Sequence, residues 1–155
     1  MAWAVVGGEV DKTSVSLRVF GDDLEPDQIS LLMGCQPTQS CRKGDTCGHG
    51  KFQRIEKTGK WLLHADEAKA ATLDAQINSL LDRLTGDLTA WRELNSHYRV
   101  DLFCGLFLEN LNRGTTLTGQ TLQRMAERGI PLGLDIYGLH CLASEPGVTG
   151  NRDQS

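Results

Sequence analysis

No stretch of this chain stays apolar for the ~20 residues that a membrane-crossing helix requires, so no such helix is expected. The apolar start ends at Glu9 and Asp11 with no basic residues before it, which does not fit a secretory leader and points to the cytoplasm. Basic residues are not in excess: 16 Lys+Arg stand against 20 Asp+Glu, a net charge of -4 with a pI near 5.5. That disfavours a general nucleic-acid binder, which would present a basic face. Catalytic signatures are also missing. There is no G-x-S-x-G, no H-E-x-x-H and no phosphate loop ending in G-K-[ST]. Gly7-Gly8 precedes the first strand rather than following one, and His49, His64, His97 and His140 are scattered without a paired motif. No cofactor is expected. A chain of 155 residues, 39% hydrophobic and 23% charged, is enough for one ordinary folded domain.

The five cysteines, Cys35, Cys41, Cys47, Cys104 and Cys141, are odd in number and do not read as a disulfide framework. Cys104 falls on the apolar side of a strand and is expected in the core. Cys35, Cys41, Cys47 and His49 are weak metal candidates. Four such ligands would suffice for a closed zinc site, but C-x5-C-x5-C-x-H lacks the paired knuckle spacing. Free thiols are therefore expected, and no metal.

Charge is unevenly placed. Between Arg42 and Lys60 lie six basic and two acidic residues, so this stretch is +4 and the remainder -8. Such a segment suits either an anion or acidic partner surface, or a solvated loop with ordinary lysines. Arg42 offers a planar fork for a carboxylate or phosphate, and Gly44 lets backbone approach closely. Lys43 and Lys57 add charge. Trp61 either packs inward as core or lines a cleft beside Arg42 as a stacking surface. The carboxylates Asp22, Asp23, Glu25 and Asp27 cluster at a helix start, where they complement the helix dipole.

Periodicity supplies the elements. Residues 14–20 alternate Val15, Leu17 and Val19 with polar positions, the signature of a half-buried strand. Pro26 suits the first position of a short helix over 26–33, with Gly34 to stop it. Leu24, in the turn between them, is expected to be partly exposed. Residues 36–50 read as a long loop, and 52–55 with 61–63 as a hairpin. Leu73, Ile77, Leu80, Leu81 and Leu84 form the strongest helical stripe. Leu80 is therefore expected to matter more to stability than Leu24. Asp87 can cap the next helix, which carries Leu88, Trp91 and Leu94. A second strand spans 98–108. Thr118 caps a helix with Leu122, Met125 and Ala126 inward, and Ile130, Leu132, Leu134 and Ile136 form the inner side of a last strand.

These elements predict an α+β fold: a two-layer sandwich with a mostly antiparallel sheet and helices on one face. The pattern suggests a ferredoxin-like arrangement with a helical insertion between two β-α-β units. The expected organisation is an N-terminal extension over 1–13, a single domain over 14–137 and a partly frayed tail over 138–155.

Several blocks resemble a known family. Phe20-Gly21-Asp22-Asp23-Leu24 with Pro26-Asp27-Gln28-Ile29 is similar to the opening of the bacterial family catalogued as domain of unknown function 4279. Gly34-Cys35-Gln36-Pro37-Thr38 and Ser40-Cys41-Arg42-Lys43-Gly44-Asp45 resemble its next block. Lys57-Thr58-Gly59-Lys60-Trp61 looks like its tryptophan strand, and Leu134-Asp135-Ile136-Tyr137 its closing strand. Cys41 and Gly119 depart from the pattern, which would have an aromatic residue and a proline there. The resemblance implies a small stand-alone domain and carries over no catalytic residue. Two functional readings follow. One is a non-catalytic protein-binding module, an immunity or antitoxin protein being one form, with an acidic partner. The other is a small-molecule or anion-binding domain, or an enzyme of unassigned type, built on Arg42, Lys43, Lys57 and Trp61.

Overall fold

Ten residues of alternating character, Lys12–Gly21, form the central strand β1 and fix which side of the sheet is buried. Thr13, Val15, Leu17 and Val19 point into the core, while Ser14, Ser16, Arg18 and Phe20 face the other way. The computed structural model describes residues 7–138. The tail expected beyond residue 137 lies, apart from Gly138, outside the described residues, as do residues 1–6 of the expected N-terminal extension.

After β1 come α1 (Pro26–Met33), β2 (Gln39–Cys41), β3 (Thr46–Cys47), a single 3-10 turn (Gly50–Phe52), β4 (Arg54–Ile55) and β5 (Gly59–His64). Then follow α2 (Leu73–Asp82), α3 (Leu88–His97), β6 (Arg99–Phe107), α4 (Gly119–Glu127) and β7 (Leu132–Tyr137). The helix boundaries have local causes. Pro26 opens α1, and Gly34 ends it at φ 68°, in the left-handed region that glycine enters without strain. Thr72, Asp87 and Thr118 cap α2, α3 and α4, each accepting from a backbone N–H of the first turn at 3.2, 2.8 and 3.2 Å.

The main sheet runs β2-β5-β1-β6-β7. All its pairs are antiparallel except β6 with β7. The α+β class and the mostly antiparallel sheet are as expected. Two β-α-β units are present: β6-α4-β7 has adjacent parallel strands, whereas in β1-α1-β2 the two strands run parallel to each other with β5 inserted between them, antiparallel to both. The expected hairpin between 52–55 and 61–63 is absent. β4 pairs instead with β3 in a separate two-stranded ribbon, and β5 pairs with β1 and β2. Both short runs were extended, but their partners lie elsewhere in the chain.

The core joins the inward residues of β1, β5 and β6 to those of the helices, around Trp61, Trp91, Leu17, Leu63, Ile77, Leu80 and Leu94. Leu24 belongs to it as well, against expectation. It is fully buried because β5 begins with Gly59, and a Cβ there would lie 2.8 Å from the Cβ of Leu24 and 2.6 Å from the carbonyl oxygen of Gly21. Leu122 is exposed instead of inward, and its neighbour Thr121 is buried, receiving 2.6 Å from Asn78 Nδ2 of α2. The last strand departs most. Leu134 is 50% and Ile136 60% exposed, although both lie on the core side of the sheet in register with Cys104 and Leu106.

Candidate functional site

The basic segment folds over the β2 end of the sheet. Cys41, at the end of β2, is joined by a disulfide to Cys47 in β3, with Cα atoms 6.6 Å apart. This corrects the expectation of free thiols: an odd total did not prevent one local pair. The enclosed loop is held internally as well. Arg42 N donates to Asp45 Oδ2 at 3.0 Å, Gly44 N to Glu56 O at 2.8 Å, and Glu56 N to Asp45 O at 2.9 Å. Gly48 has φ 108°, and a Cβ there would run into the backbone carbonyl of Phe52, so the ribbon's turn needs glycine.

The structure separates the residues read as an anion clamp. Arg42 Nε donates to Glu25 Oε2 at 2.7 Å and Lys43 Nζ to Asp22 Oδ2 at 2.5 Å. Hydrogen bonds from Lys43 and Thr58 hold the Asp22 carboxyl below its usual range, and the Glu25 contact raises Arg42. The acidic cluster before α1 thus anchors the loop. Trp61 cannot stack on a ligand, because it is fully buried. Its indole N–H donates to Ser30 Oγ at 3.0 Å, and Ser30 in turn donates to Pro26 O at 2.9 Å. Lys57 is exposed. Lys60, by contrast, is buried with Glu56, its Nζ 2.6 Å from Oε1, while Arg54 Nε reaches the same oxygen at 3.1 Å. The hydrogen bond from Lys60 lowers the Glu56 carboxyl from its ordinary value against the opposing pull of burial.

The metal candidates are likewise divided. Cys41 and Cys47 are bonded to each other, and His49 borders a shallow cavity of ≈ 430 Å³ with them and His64. Cys35 is half-buried, its Sγ 3.4 Å from Gln36 O. Among the described residues no group of three or more His, Cys, Asp or Glu is placed to share a metal ion. Burial pushes the Cys104 thiol up to about 12, so it is protonated and inert as a nucleophile at neutral pH.

Two serine–histidine contacts were not visible in the sequence. Ser16 Oγ lies 2.6 Å from His64 Nδ1, and Ser96 Oγ 2.9 Å from His97 Nδ1. The first arises from the β1–β5 register, which places Ser16 directly opposite His64 across 48 residues of sequence. Among the described residues neither ring hydrogen-bonds a carboxylate, the third member that orients a base for nucleophile activation. A groove of ≈ 530 Å³ lies between α1 and α3 and is lined by Leu31, Leu32, Asp87, Glu93 and His97, away from the basic segment.

What remains outward on the ribbon is a compact surface. Phe52 is 86% exposed and Ile55 69% exposed, and Lys51, Arg54 and Lys57 stand exposed beside them in the chain. β3, the partner of β4 in this ribbon, is tied to the end of β2 by the disulfide, so the ribbon is fixed to the main sheet at one point. Sequence reading missed Phe52 and Ile55 because an extended apolar run counted as a strand with one side covered.

No curated protein and no solved structure matches the chain. A family model described as "Domain of unknown function (DUF4279)" matches residues 11–139, from the residue before β1 to just past β7. The span takes in the whole sheet, its helices and the disulfide-closed loop, and the chain therefore belongs to the DUF4279 family.

Proposed function

We propose that the chain is a non-catalytic protein-binding module whose recognition element is the β3–β4 ribbon. The observation that supports this is the exposure of Phe52 and Ile55 on a loop anchored by a disulfide and by two ion pairs. An aromatic anchor on a stiff support loses little conformational entropy when it enters a partner pocket, which is what makes such residues dominate interface energies. Lys51, Arg54 and Lys57 set the rim charge, so the partner presents an apolar pocket bordered by carboxylates. An immunity or antitoxin protein, which neutralises one dedicated target, is a form that this surface suits.

The anion-binding alternative loses support, because Arg42 and Lys43 are each already paired with a carboxylate, of Glu25 and of Asp22, while Trp61 is buried. The test is photo-crosslinking in cells of the source organism, with a photoreactive phenylalanine analogue at Phe52 and, as control, at the exposed Leu122. The expected result is one discrete adduct from position 52. It should weaken in the Lys51→Glu, Lys57→Glu double variant and at raised salt, because screening at ~0.15 M already acts over about 8 Å. No adduct at 52, or the same adducts from 122, would overturn the proposal.

A further inference from the structure

The two borders of the main sheet are β2 and β7. β7 pairs with β6 in unbroken parallel register from Leu132 to Tyr137 and has no neighbour on its other side among the described residues. The Leu102 N–H donates to Pro131 O and the Leu108 N–H to Tyr137 O, so the odd-numbered residues of β7 turn their backbone groups toward β6. Because the backbone alternates along a strand, the N–H and C=O of Leu132, Leu134 and Ile136 point outward, away from the sheet.

Natural edges are blunted by lysine, proline, bulges or very short strands. β7 reads Leu-Gly-Leu-Asp-Ile-Tyr: it has no lysine, proline or bulge, and its one charged side chain is Asp135. Its outward residues are also the exposed apolar ones, Leu134 and Ile136. Gly133 is a further oddity. A Cβ there would meet its nearest neighbours, Leu102 O and Phe103 Cδ2, at an ordinary 3.8 Å, so nothing among the described residues of one copy requires glycine.

We infer that β7 is the seat of a two-fold homodimer, in which it pairs antiparallel with β7 of a second copy and Leu134 lies on the axis. In this register Leu134 faces Leu134 and Leu132 faces Ile136. Every outward N–H and C=O of the three residues then meets its counterpart in a hydrogen-bonded pair. Asp135, the only charge on the strand, falls opposite the bare Gly133 of the second copy. Its carboxylate there, already accepting from the Tyr137 hydroxyl at 2.5 Å, has room and no like charge facing it. Moving the axis to Asp135 would set two carboxylates opposite each other at the close spacing of about 4.5 Å, which is unfavourable. Charge and side-chain size therefore favour a second copy in one register. An isologous contact of this kind closes after two chains and builds one continuous sheet. A single short strand buries an area at the low end for specific interfaces, so the dimer is weak and concentration-dependent.

Sedimentation velocity from low micromolar to millimolar protein tests it. Wild type is expected to shift reversibly from monomer to dimer. Leu134→Lys, which places two ammonium groups at the axis, should stay monomeric with an unchanged circular dichroism spectrum. Leu31→Lys, at a leucine exposed on α1, should dimerise like wild type. A wild type that stays monomeric throughout, or a dimer indifferent to Leu134→Lys, would overturn the inference. In a Cys35→Ser, Cys141→Ser background, Leu134→Cys should form a covalent dimer on mild oxidation, because hydrogen-bonded pairs hold Cα atoms about 5.5 Å apart, within disulfide reach. A covalent dimer formed from Asp135→Cys and not from Leu134→Cys would overturn the register.

Discussion

The two borders of one sheet are finished in opposite ways. At the β2 side the chain spends a disulfide, a buried Lys60–Glu56 pair and a glycine–leucine contact on tying down a loop that has almost no regular structure of its own. At the β7 side it leaves six residues of regular strand with apolar side chains in water. The first arrangement fixes the ribbon that presents Phe52 and Ile55. The second keeps backbone hydrogen-bonding groups available. Substitutions at the β2 side should therefore cost folding free energy, whereas substitutions at the β7 side should alter association and leave the monomer as stable as before.

The sharpest contrast is expected at Glu56. Its carboxylate neutralises Lys60, and both side chains are buried. Glu56→Ala strands an ammonium without a partner, and losses of about 3–5 kcal/mol follow when one member of such a pair is removed. The double change Glu56→Leu, Lys60→Met should recover most of that loss, because a well-packed apolar pair carries no desolvation penalty. A chemical-denaturation series on the two variants decides it. The pH dependence has a definite sign. Glu56 is held below its ordinary value of 4.5 in the folded chain, so its contribution is complete above that value and is lost as pH falls through the lowered one. Wild type should lose more stability than Glu56→Ala across that acid window, and parallel pH curves would show that the pair is not coupled to folding.

Next in size is Leu24→Ala, expected to cost about 2–5 kcal/mol, as much as Leu80→Ala, since both side chains are fully enclosed. The same truncation at Leu134 should stay within about 0.5 kcal/mol at concentrations where the chain is monomeric. Equal costs at Leu24 and Leu134 would erase the distinction between the two sides.

Leu24 also marks the limit of what the residues reveal. β1, α1, α2, α3, β6 and α4 are legible because each has a period, a cap or a stop of its own, from Val15-x-Leu17-x-Val19 to Thr118. Leu24 is not, because its burial depends on Gly59, which stands 35 residues away in sequence and touches it only once β5 has paired with β1. β7 fails for a related reason. Leu132, Leu134 and Ile136 alternate like the inner side of a central strand, and nothing in that alternation says whether a helix will cover it. For the surface proposed above, charge drew attention to the segment but not to the apolar residues left outside on it: Arg42 and Lys43 pair with Glu25 and Asp22 and Trp61 is buried, while Phe52 and Ile55 are exposed. The sign of a charge is legible in sequence, but whether a carboxylate such as Glu25 or Asp22 folds back to meet it is not.

The smallest expected effect at the β2 side belongs to the disulfide. Closing the short loop between Cys41 and Cys47 restricts the unfolded chain, and for a loop of this length the chain-entropy argument gives about 2 kcal/mol. Cys41→Ser with Cys47→Ser, or reduction of the wild type, should lower the melting temperature by several degrees. The core helices should keep their circular dichroism signal, because the bond acts mainly on the unfolded chain and links β2 to β3, outside α1, α2 and α3. The ribbon should respond more than the core does. Amide exchange at Thr46, Arg54 and Ile55 should quicken on reduction, while exchange in β1 and β6 should stay nearly constant, since local opening draws on the least buried elements first. Uniform acceleration across the sheet would mean that the disulfide supports the fold as a whole, and the β2 side would then be a part of the core rather than a stapled platform beside it.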